Sequence, residues 1–398
     1  MATTPRSFLD LYLYTAGKSE VPTIWHEWGC FSLLAACVND AVWYEKFKGE
    51  KLYPNLYLAI VGPSGSGKGI AMGHASRFVK GNKSVFRYRG KLSGAGLADI
   101  LARKEAHEAS WSGERPTVWL VLPELASSVG TGNLANDFIK RLTDVFNGEA
   151  DIYREATRTM IADGRDIEYQ LPLVNTFFGS TVEWLIECVT KDAIASGFFA
   201  RMLVIDGRFD PNVRVTDPTF PSDVDAVVDE LKQRIKSIQR LEGVFALDDK
   251  AAALRDRWYQ NRPVPDDDRM LPLWKRADDL ILKLAMILSP VVQFGVGDKV
   301  ITGSAWRTAH NYVREAERSL PMVMRQAARA EQTGNLEAIA DMIRKAGRLP
   351  HTAALKKANH RGIHAVEFKM HIEALKGRGD VGVDRTATGA KVYEWVAT

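Results

Sequence analysis

Residues 62–68 read Gly-Pro-Ser-Gly-Ser-Gly-Lys and match the pattern G-x-x-x-x-G-K. Glycines at these positions let a backbone turn several N–H groups inward around phosphate oxygens. The lysine adds a point charge, and a helix beginning at the lysine aims its positive end at the same place. Gly62, Pro63, Ser64, Gly65, Ser66, Gly67, Lys68, Gly69 and Ile70 are therefore expected to cradle the phosphates of a nucleoside triphosphate. The residue after the lysine usually offers a hydroxyl to Mg²⁺; here it is Gly69, followed by Ile70.

About 55 residues further on, the run Thr117-VWLVL-Pro123 ends in Glu124. A carboxylate at a strand end beside a phosphate loop can orient and deprotonate an attacking water; the plainer alternative is a helix-capping acid. The position before it, where an Mg²⁺-binding Asp is common, is Pro123, so the metal contact is left open among Ser64, Ser66, water in place of the missing hydroxyl, and Glu124 acting through water. In LVNTFFGST, Asn175, Thr176, Ser180 and Thr181 are polar groups that could position that water, with strand-end hydrogen bonding as the alternative. Arg201, in ASGFFARMLVI, is a candidate for stabilising transition-state charge, in cis or on a neighbouring subunit; alternatively it pairs with an acid. Asp144, Glu149 and Arg154 lie in LTDVFNGEADIYRE, which suits either a central-channel loop or a solvated polar face.

These residues need a scaffold, and the periodicity supplies one. Four short apolar runs, LYLAIV from Leu56, VWLVL from Val118, LVNTFFG from Leu173 and MLVI from Met202, read as strands buried on both faces. Helical spacing follows Lys68 at Ala71, Ala75, Phe78 and Val79. Alternating strands and helices predict an α/β core of three layers around a mainly parallel sheet. Residues 1–50 read as a mostly helical lead-in, with Trp25, Trp28, Trp43 and Tyr44 taken for packing. The core spans 51–210, the Pro-rich stretch to Pro221 marks its end, and a helical lid covers 211–330. Its last helix is drawn from about Ser304 to Ala330.

Residues 331–398 predict three helices and a two-stranded ribbon, the order of a winged-helix domain. Lys356, Lys357 and Arg361 around its second helix, with Lys369, Lys376 and Arg378 on or just after the third, are candidate phosphate contacts to DNA; a protein-binding role is the alternative. Gly377 and Gly379 are expected to turn the chain out of the third helix, with Thr388-Gly389 at the ribbon's tip. His351, His360, His364 and His371 lack ligand spacing for zinc.

The bulk properties permit this reading. The chain has 398 residues, 46% hydrophobic and 26% charged, enough for two or three domains. A net charge of +4 permits nucleic-acid binding without demanding it. Three cysteines (Cys30, Cys37, Cys188) form no disulfide framework. No signal peptide or bilayer-spanning run is expected, which points to the cytoplasm.

LYPNLYLAIVGPSGSGKG, VWLVLPEL, LTDVFNGE, NTFFGSTVEWL and SGFFARMLVIDG, in this order, resemble helicase-type ATPases of phages and mobile elements, including the C-terminal halves of primase-helicases. FLDLYLYTAG…PTIWHEWGCFSLLAA and LKLAMILSPVV resemble the flanking helices of that group, so the resemblance covers roughly residues 5–320. It implies a P-loop NTPase of the AAA+ or RecA-like kind, with ATP and Mg²⁺ as cofactors. It also implies a ring, often a hexamer, that acts on single-stranded or forked DNA in a bacterial host, alongside a primase or initiator. Lys68 would bind phosphate, Glu124 serve the water and Arg201 act as the finger. A replication initiator or helicase loader is the alternative; a small-molecule kinase is a third, disfavoured by the length of the chain and its C-terminal segment.

Overall fold

The computed structural model describes residues 6–130, 133–146, 152–155, 167–170, 172–188, 197–207, 213–387 and 389–396. The chain forms two compact units, Met1–Val323 and Met324–Thr398.

The first unit opens with α1 (Phe8–Ala16) and α2 (Thr23–Val38). A capping box starts α1: Ser7 Oγ accepts from the Asp10 N–H, and the Asp10 carboxylate accepts from the Ser7 N–H. Two strands follow, β1 (Val42–Phe47) and β2 (Glu50–Leu52), then β3 (Tyr57–Val61) and α3 (Lys68–Arg77). Next come β4 (Arg87–Tyr88), α4 (Gly94–Leu101), α5 (Lys104–Glu108), β5 (Thr117–Leu122), α6 (Leu125–Val129) and α7 (Asn133–Asp144). The antiparallel pair β6 (Ile152–Glu155) and β7 (Ile167–Gln170) precedes β8 (Leu173–Ser180), α8 (Val182–Cys188) and β9 (Met202–Asp206). The unit is completed by α9 (Val224–Ile238), β10 (Gly243–Leu247), α10 (Asp249–Asn261), α11 (Leu271–Ile287), α12 (Pro290–Phe294), β11 (Val300–Ile301) and the first part of α13 (Gly303–Ala346).

The central sheet has five parallel strands in the order β4-β5-β8-β3-β9. Every residue of β3, β5 and β8 is buried, as continuous apolar runs require when both faces are covered. On one face α2 packs against α3 and β8, burying Trp25, Trp28, Phe31 and Leu34. β3, which leads into the loop, is not the neighbour of the Glu124 strand: β8 lies between β3 and β5.

Two expectations change. The lead-in is not helical to residue 50, because β1 begins at Val42 and pairs in parallel with β10 while β2 folds back on it. Its VWYEKF sequence has the β-branched and aromatic content of a strand, but the aromatics also suit helix packing. With β10 and β11 the stretch forms a second sheet, ordered β11-β10-β1-β2, that joins the lead-in to the segment read as an all-helical lid. The helix expected to end near Ala330 continues to Ala346, with Pro321 inside it. A single Gly334 costs about 1 kcal/mol in a helix interior, too little to end one by itself.

The second unit contains the end of α13, then β12 (Arg348–Pro350), α14 (His351–Asn359), α15 (Ala365–Arg378), β13 (Val381–Arg385) and β14 (Lys391–Trp395). The three strands form an antiparallel sheet, β12-β14-β13, over a core of Ile339, Ile343, Ile363, Phe368, Ile372 and Tyr393. β12 is an addition to the expected two-stranded ribbon. Gly379 closes α15 in the left-handed region (φ 81°), whereas Gly377 lies within the helix. Thr388 lies outside the described residues. Among the described residues no helix is long and apolar enough to cross a membrane.

Candidate functional site

β3 delivers the chain into the glycine-rich loop at the carboxyl edge of the sheet, where the Gly62 N–H donates to the Ser180 carbonyl of β8 (3.3 Å). A Cβ at Gly62 would lie 2.8 Å from the Trp25 ring, so the loop can leave the sheet beside that indole only without a side chain. Gly67, in the left-handed region (φ 87°), turns the chain into α3, and its carbonyl accepts from the N–H groups of Ile70 and Ala71. Lys68 bends back over the loop: its Nζ donates to the Gly62 carbonyl (2.7 Å) and the Pro63 carbonyl (2.6 Å). Burial lowers the Lys68 pKa, opposed by the charges of Glu124 and then Glu183.

The loop forms one wall of a cavity of about 300 Å³. The other walls are the chain after β5 (Pro123–Ala126), the end of β8 (Gly179, Ser180) and the turn into α8 (Thr181, Trp184). Loop residues Ser64–Gly69 thus meet Glu124, Ser180 and Thr181 in one space. Glu124 is exposed at the N-cap position of α6 but makes no side-chain capping bond, so the capping alternative lacks its hydrogen bond. The Thr181 hydroxyl accepts from the Trp184 N–H (3.3 Å), holding the strand-to-helix turn closed.

Other expected site residues lie elsewhere. Asn175 is buried at the opposite end of β8, roughly 16 Å from Ser180 by the rise of a strand. Its Oδ1 accepts from the Leu56 N–H (3.0 Å), and the neighbouring Thr176 Oγ1 accepts from the Leu58 N–H (3.2 Å). These two side chains tie β8 to β3 and do not line the cavity. Arg201 precedes β9, again at the amino edge, and donates to the Gly197 carbonyl (2.9 Å). A strand's length separates it from the loop, so it does not serve the cavity of its own chain. Asp144 is exposed at the end of α7, Arg154 lies in β6, and Glu149 falls outside the described residues.

One side chain lining the cavity that the sequence reading did not single out is Trp184. Its signal is positional: it follows closely on the polar end of a buried strand. The available oxygens suit a hard cation, since Mg²⁺ commonly takes one or two carboxylates and completes its shell with phosphates and water. Glu124 offers such a carboxylate, while Gly69 and Pro123 offer no side-chain oxygen. Among the described residues no group of three or more His, Cys, Asp or Glu side chains is placed to hold a metal by itself.

In the second unit Lys356, Lys357, Arg361, Lys369, Lys376 and Arg378 are all exposed. Lys376 is engaged with Glu373 (2.9 Å). The outer surface of α15 also carries Val366 (78% exposed) and Met370 (56%), so it is not purely basic.

Comparison with protein-family models finds no match, and a search of curated proteins finds none either.

Proposed function

We propose that this chain is an ATP-hydrolysing motor acting on DNA, a helicase or translocase of a phage or mobile element that works as a ring, with a hexamer as the expected form. The observation that carries the reading is the cavity in which the Gly62–Lys68 loop and Glu124 face each other across the end of β8. With one strand interposed, the loop strand and the Glu124 strand stand about 10 Å apart, twice the spacing of neighbouring strands. That span accommodates a terminal phosphate and a water between ammonium and carboxylate. ATP and water would give ADP and phosphate, with Glu124 orienting the water and taking its proton. Lys68 would leave the loop carbonyls to meet the β and γ oxygens. Mg²⁺, when bound, would neutralise charge on those oxygens. Arg201, remote from its own cavity, fits the finger role only in trans, which is consistent with a ring.

The second unit, with its helix–strand–helix–helix–strand–strand order, is read as a winged-helix domain. Its exposed Lys356, Lys357, Arg361, Lys369 and Arg378 would meet DNA phosphates. A primase or initiator is the expected protein partner.

A second reading, a replication initiator or helicase loader with ATP as an assembly switch, is favoured by the missing oxygens at Gly69 and Pro123. Slow turnover harms a switch less than a motor. Hydrolysis by purified protein, with and without single-stranded DNA, separates the two. DNA-stimulated turnover together with unwinding of a forked duplex supports the motor. Nucleotide-dependent assembly on DNA with negligible turnover transfers the reading to the switch.

A further inference from the structure

The surroundings of the loop give a bound nucleotide a direction. Glu124, Ser180 and Thr181, which meet the terminal phosphate in the reading above, stand on the β8 and β5 side of β3. The phosphates form a linear chain, so the innermost one and the nucleoside leave on the other side of β3, where its neighbour is β9.

A second cavity, of about 430 Å³, lies on that side, within the first unit. Asp206, the last residue of β9, lines it and is opposite Val61, the residue before Gly62. Neighbouring strands run about 4.8 Å apart, so the cavity begins one strand's width from the start of the loop. The Gly207 N–H donates to the Val61 carbonyl (3.1 Å) and holds the two strand ends together.

The chain entering α2 links the two spaces. A Cβ on Gly67 would lie 2.7 Å from Val21, and one on Gly62 or Gly207 would lie 2.8 or 2.1 Å from the Trp25 ring. On the same helix Ile24 and Trp28 line the second cavity together with Ile205. Trp28 and Ile205 are buried and Ile24 is half-buried, which makes this wall apolar. The polar groups are Asp206 and, on α13, Glu315, Arg318 and Ser319. An apolar slot with a few polar groups to fix orientation is the make-up of a site for a small organic ring system, and its volume is in the range of such sites.

We infer that this cavity holds the base of the bound nucleotide, and that Asp206 determines specificity by accepting a hydrogen bond from the exocyclic amino group of adenine. The inference rests on the nucleotide reading above and extends it from the phosphates to the base. An ionised carboxylate only accepts hydrogen bonds, so Asp206 disfavours a base with an oxygen in place of that amino group.

The test is calorimetric binding of ADP, inosine diphosphate and inorganic tripolyphosphate to the full chain, in wild type, Asp206→Asn, Ser319→Trp and Lys68→Ala. Wild type should prefer ADP over the inosine nucleotide by roughly tenfold or more, the scale of one hydrogen bond to a charged group. Asp206→Asn should shrink that preference from both ends, because an amide also donates to the 6-oxygen, and should leave tripolyphosphate unaffected. Ser319→Trp, which fills the cavity, should weaken ADP and leave tripolyphosphate unaffected. An unchanged preference in Asp206→Asn overturns the inference, as does ADP affinity indifferent to Ser319→Trp. A merely structural role for Asp206 would weaken all three ligands together and lower the melting temperature, which also overturns it. ADP binding that is absent in wild type, or unaffected by Lys68→Ala, removes the nucleotide reading itself; Lys68-dependent binding without a base preference removes only this inference.

Discussion

Gly179→Ala probes the alignment of the cavity with one methyl group. Gly179 is opposite Ile60 of β3 on one side, and on the other lies against the chain leaving β5. A Cβ there would stand 2.2 Å from the Pro123 carbonyl oxygen and 3.0 Å from its carbon. Both are backbone atoms, so no side-chain rotation can relieve the overlap. Either the end of β8 or the Pro123–Glu124 segment must move by about 1 Å to reach ordinary contact. Overpacking of this kind costs typically 1–3 kcal/mol, which lowers the melting temperature by several degrees in a unit this size. Glu124 is the next residue, so its carboxylate moves with the segment. A misplacement of 1 Å can cost about 10²-fold in rate. The expected result is a fall in ATP turnover of about two orders of magnitude. Nucleotide affinity, set mainly by the loop, should change by no more than a few-fold. Steady-state kinetics, ATPγS calorimetry and a thermal melt on one preparation measure all three. Turnover within twofold of wild type at an unchanged melting temperature would refute both the close approach and the role given to Glu124.

Three further expectations concern stability. Gly73→Ala, inside α3 where an added Cβ meets nothing within 4 Å, should stabilise the protein by about 0.5–1 kcal/mol, read from denaturant midpoints. Burial, aided by the charge of Arg77, lowers the pKa of His26 to about 4 and of His74 to about 3. The unfolded chain therefore takes up protons below about pH 6.5 that the native state refuses, and stability should fall by about 1.4 kcal/mol per pH unit per histidine down to about pH 4. It is fully present above pH 6.5, and His26→Leu should remove about half of the acid sensitivity in urea titrations at pH 7 and pH 5. Asp278, buried in α11, receives two hydrogen bonds from Arg255 (2.9 and 2.7 Å); Asp278→Ala should cost roughly 3 kcal/mol, and an equal loss in Arg255→Met would identify the pair as its source.

The parts of the fold that could be read in sequence are those set by local pattern. The runs of β3, β5, β8 and β9 are continuous apolar stretches closed by Gly62, Pro123, Thr181 and Gly207. Each was recognisable because a strand buried on both faces has few polar residues. Strand order was not recognisable, since the placement of β8 between β3 and β5 depends on pairing across more than a hundred residues of chain on the β3 side and more than fifty on the β5 side. That order decides the site, because it puts Ser180, Thr181 and the α8 turn opposite the loop. Asn175 shows the limit differently: its polarity suggested a role near phosphate, whereas counting five residues back from Ser180 places it at the other edge. The pairing of β1 with β10 joins residues some two hundred positions apart, and strands as short as β11 leave almost no periodicity to read. In the second unit β12 was missed for the same reason, being three residues long and ending in proline.

The most direct test of the account is equilibrium binding of ATP to the purified full chain and to Lys68→Ala, with hydrolysis followed in the same samples. The account predicts saturable binding by wild type that is weakened at least tenfold in the variant, and turnover that disappears with it. Equal binding by both proteins, or none by either, would contradict it.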